Sequence, residues 1–194
     1  MVTAAGRSSR MGRAKALLEW RGLPLLAHQV RLLSGLREVI VVLGHEAASL
    51  RPFVPSGQFI RLVENTAFEQ GRSSSLVAGF KAISGRPAGI LVVAVDQPLA
   101  SATLGQLLGG HDPHAPIAVP VYQGRRGHPV LFRGDLIDEL LAITEETDGL
   151  RAVVARHRDE RQEVPVDDPA IWLDLNEPGD YLEASAQGES TQGD

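Results

Sequence analysis

Hydrophobic positions along the chain follow two patterns. Short runs that are apolar at nearly every position predict strands buried on both faces, and they cover residues 39–43, 59–63, 90–95, 117–121 and 171–175. Apolar residues spaced three or four positions apart predict helices over 25–36, 74–83, 103–108 and 150–154. Strands that alternate with helices in this way favour an α/β fold, with a sheet covered by helices on both faces.

The chain has 194 residues, which is enough for one domain with a single hydrophobic core. After Leu182 the sequence turns small and polar. We therefore expect a domain over residues 1–182 and a poorly packed polar tail over 183–194.

Charge and cysteine content exclude several functional classes. With 19 Lys and Arg against 24 Asp and Glu, the net charge of −5 gives no general attraction to nucleic acid or anionic lipid. The absence of cysteine excludes disulfides, iron–sulfur clusters and thiolate zinc sites, and leaves oxygen and imidazole as metal ligands. No apolar run approaches the length of a membrane span, so we expect a cytoplasmic protein without membrane or nucleic-acid partners.

The segment 4–15 is a candidate phosphate loop, because it is rich in small residues and free of carboxylates. Gly6 and Gly12 let backbone N–H groups approach an anion closely, and nearby cations could neutralise a polyphosphate. The cations are Arg7, Arg10, Arg13 and Lys15. The segment matches neither G-x-G-x-x-G nor the P-loop fingerprint. A solvated basic turn is the alternative.

Two carboxylates lie where apolar runs end. Asp96 directly follows the run 90–95, which would hold it rigidly at the carboxyl edge of the sheet. Asp174 shares one side of the run 171–175 with Asn176. Mg²⁺ needs only one or two protein carboxylates when phosphates supply other ligands. Both are candidate metal ligands, and helix capping or turn formation is the alternative for each.

Two further segments carry polar groups that a substrate could use. Ser73, Ser74 and Ser75 offer hydroxyl and N–H groups at the start of a predicted helix, where they could bind nucleotide or simply cap the helix. His128, within the segment 127–129, could face substrate or form a turn into a strand.

Six segments together resemble the MobA-like nucleotidyltransferase family, in order and spacing over nearly the whole chain. They are Ala-Ala-Gly-Arg-Ser-Ser-Arg-Met-Gly-Arg-Ala-Lys at 4–15, Gly-Arg-Ser-Ser-Ser-Leu at 71–76, Asp-Gln-Pro at 96–98, Gly-His-Pro-Val-Leu-Phe at 127–132, Asp-Gly-Leu-Arg at 148–151 and Asp-Leu-Asn-Glu-Pro-Gly-Asp-Tyr at 174–181. The opening Ala-Ala-Gly is most similar to the molybdenum cofactor cytidylyltransferases of the family, since guanylyltransferases usually carry Ala-Gly-Gly.

The resemblance implies a three-layer α/β/α Rossmann-like sandwich with a mostly parallel sheet, of the nucleotide-diphospho-sugar transferase type. The implied reaction joins CMP from CTP to the phosphate of a molybdopterin cofactor, with Mg²⁺ and with release of pyrophosphate. The roles implied are catalytic for Arg10, Lys15 and Asp96, nucleotide-binding for Ala4, Ala5, Gly6, Arg7, Ser8, Gly12, Ser73, Ser74 and Ser75, acceptor-binding for Gly127, His128 and Pro129, and metal-binding for Asp96 and Asp174.

Other functions stay open beside this one. They are a GTP-dependent guanylyltransferase, an NAD(P)H-dependent oxidoreductase of the nicotine blue type, and a non-catalytic chaperone for the molybdenum cofactor. The implied partners are nucleotide, pterin cofactor and a molybdoenzyme of the xanthine dehydrogenase type. Only three residues precede Ala4, so the first strand should be short, and we expect it to support the following loop loosely.

Overall fold

A mixed eight-stranded sheet forms the centre of the protein in a computed structural model that describes residues 1–8 and 11–189, with side chains through 185. In chain order the strands are β1 (Val2–Ala4), β2 (Glu19–Trp20), β3 (Leu23–Pro24), β4 (Val39–Leu43), β5 (Ile60–Glu64), β6 (Gly89–Ala94), β7 (Ile117–Tyr122), β8 (Arg125–Arg126), β9 (Val130–Arg133) and β10 (Gln162–Pro165). The helices are α1 (Leu25–Leu32), α2 (Ala47–Leu50), α3 (Arg72–Lys81), α4 (Ser101–Gly110), α5 (Ile137–Leu141), α6 (Leu150–Arg156) and α7 (Pro178–Glu189).

The strand order is β10-β7-β9-β6-β1-β4-β5, with β8 added beside β7 and with β2 and β3 forming a separate hairpin. Strands β5, β4, β1 and β6 are mutually parallel, as are β7 and β10, whereas β8 and β9 run antiparallel to their neighbours. The predicted α/β sandwich with a mostly parallel sheet is therefore confirmed. Because the parallel strands end at one edge, the loops after β1, β4 and β6 meet there.

Alternate residues of the central strands contribute side chains to two separate cores, one on each face of the sheet. Val41 and Val93 pack with α1 and α4 in the first core, and Val42 and Val92 pack with α3, α5 and α6 in the second. This two-sided burial explains why β4 and β6 read as continuous apolar runs. The result is a helix–sheet–helix arrangement of three layers.

The first strand is short, as expected, but it is paired on both sides. It lies between β4 and β6, and Val93 and Val95 donate backbone hydrogen bonds of 2.9 and 3.0 Å to the carbonyls of Met1 and Thr3. The Met1 amine donates to the Leu91 carbonyl at 2.7 Å. The loop that follows Ala4 therefore leaves the middle of the sheet.

Four of the five predicted strands are present, and the prediction for 171–175 is wrong. Residues 171 and 172 end a 3₁₀ turn over Pro169–Trp172, at which the Asp168 carboxylate accepts a hydrogen bond from the Ala170 N–H, and 173–175 follow it without forming a strand. Ile171 and Leu175 are buried in this irregular segment, so they produce an apolar pattern without belonging to the sheet. Strand β10 is the parallel edge strand beside β7 that the sequence did not predict.

The expected boundary at Leu182 falls inside α7, which continues to Glu189. Ala184 is buried and belongs to the first core, so α7 packs against the domain at this position. The remainder, 190–194, lies outside the described residues. Among the helices described, none combines the length and the apolar character that a membrane span requires.

Candidate active site

A cavity of about 330 Å³ opens where β1, β4 and β6 end. Its walls come from the loop after β1, the residues after β4, the first turns of α3, Asp96 after β6, and Asn176. The carboxyl edge of a parallel sheet is the usual ligand site of such folds. This edge brings together residues from four of the segments that the sequence singled out, namely 4–15, 71–76, 96–98 and 174–181.

Lys15, Asp96 and Asn176 meet in this cavity. The Lys15 ammonium donates to Asp96 Oδ2 at 2.9 Å and to Asn176 Oδ1 at 2.8 Å. The Lys15 and Asp96 side chains are 13% and 25% exposed, which shields their ion pair from water far more than a surface pair. The backbone N–H of Leu175 donates to the Asp96 carbonyl at 2.9 Å and ties the segment before Asn176 to the end of β6.

The loop after β1 forms the adjoining wall. Ala4, Ala5, Gly6, Arg7 and Ser8 all line the cavity. Ser8 adopts a positive φ of 50°, and its hydroxyl accepts a hydrogen bond of 3.1 Å from the Lys15 N–H. The serine thereby joins the loop to the residue that carries the ammonium.

The cations of the loop have different surroundings. The Arg7 guanidinium pairs with the exposed Glu69 carboxylate. Arg13 lies over the Tyr181 ring at 5.6 Å, beside α7. Arg10 falls outside the described residues, and Gly12 is absent from the cavity lining. Within the described part of this loop, Lys15 is thus the cation that contacts Asp96.

Only one of the three serines reaches the cavity. Ser75 lines it, and the buried Asn65 amide donates to the hydroxyls of Ser74 and Ser75, both at 2.9 Å. The Ser74 hydroxyl donates to the Gly71 carbonyl, and the Ser73 N–H donates to the Glu145 carboxylate. Ser74 thus helps to order the start of α3, but Gly71 is the N-cap residue and no side chain caps this helix, so the predicted serine cap is not formed.

The segment 127–129 approaches the same edge, because β9 pairs with β6 so that Val130 lies opposite Val92. The His128 N–H donates to the Ile171 carbonyl at 2.8 Å. His128 is an exposed residue, yet partial burial of its ring lowers its pKa, and the positive charge of Arg72 acts in the same direction. The carboxylates of Asp174 and Asp96 oppose this shift.

Asp174 is exposed and is absent from the cavity lining, whereas Asn176 lines it. In the described part of the chain, no group of three or more His, Asp or Glu side chains could hold a metal ion alone. The Asp96 and Asn176 oxygens nevertheless hold a cation, the ammonium of Lys15. Such an oxygen pair fits a Mg²⁺ ion that keeps phosphates and water as its other ligands.

Several cavity residues were not predicted from the sequence. His45 and Phe68 form a tilted aromatic pair on the wall, with ring centres 5.7 Å apart, and Arg72 lines the cavity at the start of α3. A Cβ on Gly44 would lie 2.7 Å from Phe68 Cβ and 2.9 Å from the Ala5 carbonyl oxygen. This close approach, which only glycine permits, packs the loop after β4 against the loop after β1.

The sequence profile of the MobA-like NTP transferase domain matches residues 1–162. Nicotine blue oxidoreductase of Paenarthrobacter nicotinovorans is 37% identical over 153 residues, covering 70% of this chain and 71% of that protein. Molybdenum cofactor cytidylyltransferase of Escherichia coli K12 is 23% identical over 185 residues, covering 95% and 93%.

A solved structure shares the fold over almost the full length. A nucleotidyl transferase from Methanothermobacter thermautotroptrophicus superimposes with a TM-score of 0.79 at 28% identity, covering 98% of this chain and 96% of that one. The similarity therefore extends to the segments around Asp96 and Asn176.

Proposed function

Because the chain belongs to the MobA-like NTP transferase family, and is thus a nucleotidyltransferase, we propose that it transfers CMP from CTP to the phosphate of a molybdopterin cofactor, with Mg²⁺. Molybdenum cofactor biosynthesis is the process in which its relative from Escherichia coli acts. The family membership gives nucleotidyl transfer, whereas the cytosine base, the Mg²⁺ ion and the pterin acceptor are what we propose in addition.

The contact between Lys15, Asp96 and Asn176 carries the proposal. A largely buried ammonium held at 2.9 and 2.8 Å by two oxygens is already ordered before substrate arrives. Nucleotidyl transfer needs no protein nucleophile, because catalysis depends on positioning and on stabilising the charge that moves onto the leaving group. A preorganised cation beside a glycine-containing loop meets that need.

The acceptor phosphate would attack the α-phosphorus of the nucleotide, and the bond from that phosphorus to the bridging oxygen would break, so that pyrophosphate leaves with the negative charge. Lys15 would bind the phosphates, and the N–H groups of the loop at 4–8 would orient them. Asp96 would hold Mg²⁺ with Asn176, and Asp174 is proposed as a further ligand. When bound, the ion neutralises phosphate charge.

Titration calorimetry with the four nucleoside triphosphates, with and without Mg²⁺, tests the substrate. We expect CTP to bind best and only weakly without Mg²⁺. Preference for GTP would contradict the cytidylyl assignment and leave nucleotidyl transfer intact.

Pyrophosphate release with CTP and molybdopterin tests the site. Asp96→Asn should lower the rate by about a hundredfold or more, because it removes the carboxylate that would hold Mg²⁺. Asp138→Asn, which changes an exposed carboxylate on α5, is the matched control and should retain full activity. Undiminished turnover in Asp96→Asn would remove the proposed metal role.

The identity to an oxidoreductase supports a second candidate, NAD(P)H-dependent reduction. It predicts steady consumption of NADPH with a dye substrate and no release of pyrophosphate. A chaperone would instead bind pterin tightly without affinity for nucleotide. Pyrophosphate release, NADPH consumption, and the binding of pterin compared with that of nucleotide therefore separate the three functions.

A further inference from the structure

Arg72 is a cation on the cavity wall that has no role in the reaction as proposed above. The residue is exposed, it lines the cavity, and it forms no ion pair with any carboxylate of the described residues. Lys15 differs, since Asp96 and Asn176 already hold its ammonium. An exposed guanidinium on the cavity wall is available to an anion from solution.

The backbone around Arg72 is held in place from both sides. The Ser74 hydroxyl donates to the Gly71 carbonyl at 2.8 Å, and the Glu145 carboxylate accepts from the Ser73 N–H. Gly71 has a φ of 102°, and a Cβ there would lie 2.5 Å from the Glu145 carboxyl carbon. These contacts fix the first turn of α3, so Arg72 projects from a rigid support rather than from a mobile loop.

Lys15 and Arg72 come from opposite layers of the molecule. Ala16 and Leu18, which follow Lys15, pack in the first core, whereas Leu76 of α3 packs in the second. Both cations nevertheless line the same cavity at the sheet edge. A phosphate group bound in this cavity would therefore be within reach of cations from two different layers.

Displacement at a phosphorus atom places the attacking and leaving oxygens on opposite sides. Lys15 lies with the loop at 4–8, where the departing pyrophosphate would be bound. The remaining side is the one that the attacking phosphate must approach. The charge of Arg72 also acts on His128, in the segment proposed for acceptor binding, so the guanidinium lies near that segment as well as on the cavity wall.

We propose that Arg72 binds the phosphate monoester of the acceptor, across the reacting phosphorus from Lys15. A planar guanidinium can donate two parallel hydrogen bonds to two phosphate oxygens and leave the third free to attack. The attacking oxygen then forms a bond to the α-phosphorus while pyrophosphate departs. This role rests on the proposed nucleotidyl transfer.

The test compares Arg72→Met, which keeps the length of the side chain without the charge, with Arg72→Lys. Arg37→Met, an exposed arginine just before β4 at the opposite edge of the sheet, is the matched control. In the pyrophosphate assay we expect Arg72→Met to raise the KM for molybdopterin about tenfold or more, with CTP affinity unchanged. Arg72→Lys should fall between, and Arg37→Met should match the unchanged protein.

Calorimetry with phenyl phosphate, a simple phosphate monoester, supplies a readout that does not need turnover. Weaker binding to Arg72→Met than to the unchanged protein supports the site, even if no pyrophosphate is released and the proposed function fails. Equal binding, or binding to neither, overturns it. If Arg72→Met weakens the binding of CTP as much as that of phenyl phosphate, the proposal is also overturned, because Arg72 would then belong to the triphosphate site.

Discussion

Replacing the buried Gln29 by leucine should loosen the turn that carries Asp96. Gln29 lies on α1 with no exposed surface, and its amide bridges the chain on both sides of Pro98. Its Nε2 donates to the Gln97 carbonyl at 2.6 Å, and its Oε1 accepts from the Leu99 N–H at 3.2 Å. A leucine would fill similar space but satisfy neither backbone group.

Each buried backbone group left without a partner costs about 1–3 kcal/mol, so the two cost about 2–6 kcal/mol. The more apolar leucine returns about 1–2 kcal/mol through burial. Taking the middle of each range, we expect Gln29→Leu to lower the free energy of unfolding by about 2.5 kcal/mol. With a urea slope near 2 kcal/mol per M, the midpoint should fall by roughly 1.2 M.

The chain contains a matched control in Gln106 on α4, which makes a similar pair of hydrogen bonds at the surface. Its Nε2 donates to the Asp167 carboxylate at 2.6 Å, and its Oε1 accepts from the Asp167 N–H at 3.2 Å. Water can replace these bonds, so Gln106→Leu should cost less than about 1 kcal/mol. If both variants lost the same stability, the argument from buried backbone groups would be refuted.

Three further substitutions test the packing and electrostatics of the site. Gly44→Ala should lower the thermal unfolding midpoint by roughly 2–10 °C, because the added Cβ would overlap the loop after β1. Gly35→Ala is the control: it has open space around it and should change the midpoint by less than about 2 °C in the same calorimetric scan. Arg72→Met should raise the pKa of His128 toward its usual value, and Asp96→Asn should lower that pKa further, because a cation disfavours the imidazolium and a carboxylate favours it. An NMR titration of the imidazole measures both shifts, and a change in the opposite direction would contradict the arrangement around Asp96.

Much of the sheet could be predicted because strands that are buried on both faces appear in the sequence as continuous apolar runs. Strands β4, β6 and β7 lie in the middle of the fold, so almost every side chain had to be apolar. The same signal failed at 171–175, where Ile171 and Leu175 are buried without being in a strand. Hydrophobicity reports burial, and it identifies a strand only when the buried segment is also regular.

The candidate site divides in a similar way. Asp96 could be singled out because it follows a buried strand, and the loop at 4–15 because of its composition. Asp174 was singled out as a carboxylate that shares one side of a predicted strand with Asn176, and that strand does not form. In the irregular segment that replaces it, Asn176 faces Lys15 and Asp174 faces solvent.

The sequence by itself determined the α/β class, the family resemblance and the elements that are buried on both faces, since these depend on local composition and spacing. Only the tertiary structure decided that Lys15, Asp96 and Asn176 share one contact, because Asp96 lies 81 positions and Asn176 lies 161 positions after Lys15 in the chain. Strand order brings them together, and strand order follows from packing across the whole sheet. Lys15 and Arg72 likewise line one cavity only in the folded chain, because the residues that follow Lys15 pack in the first core and α3 packs in the second.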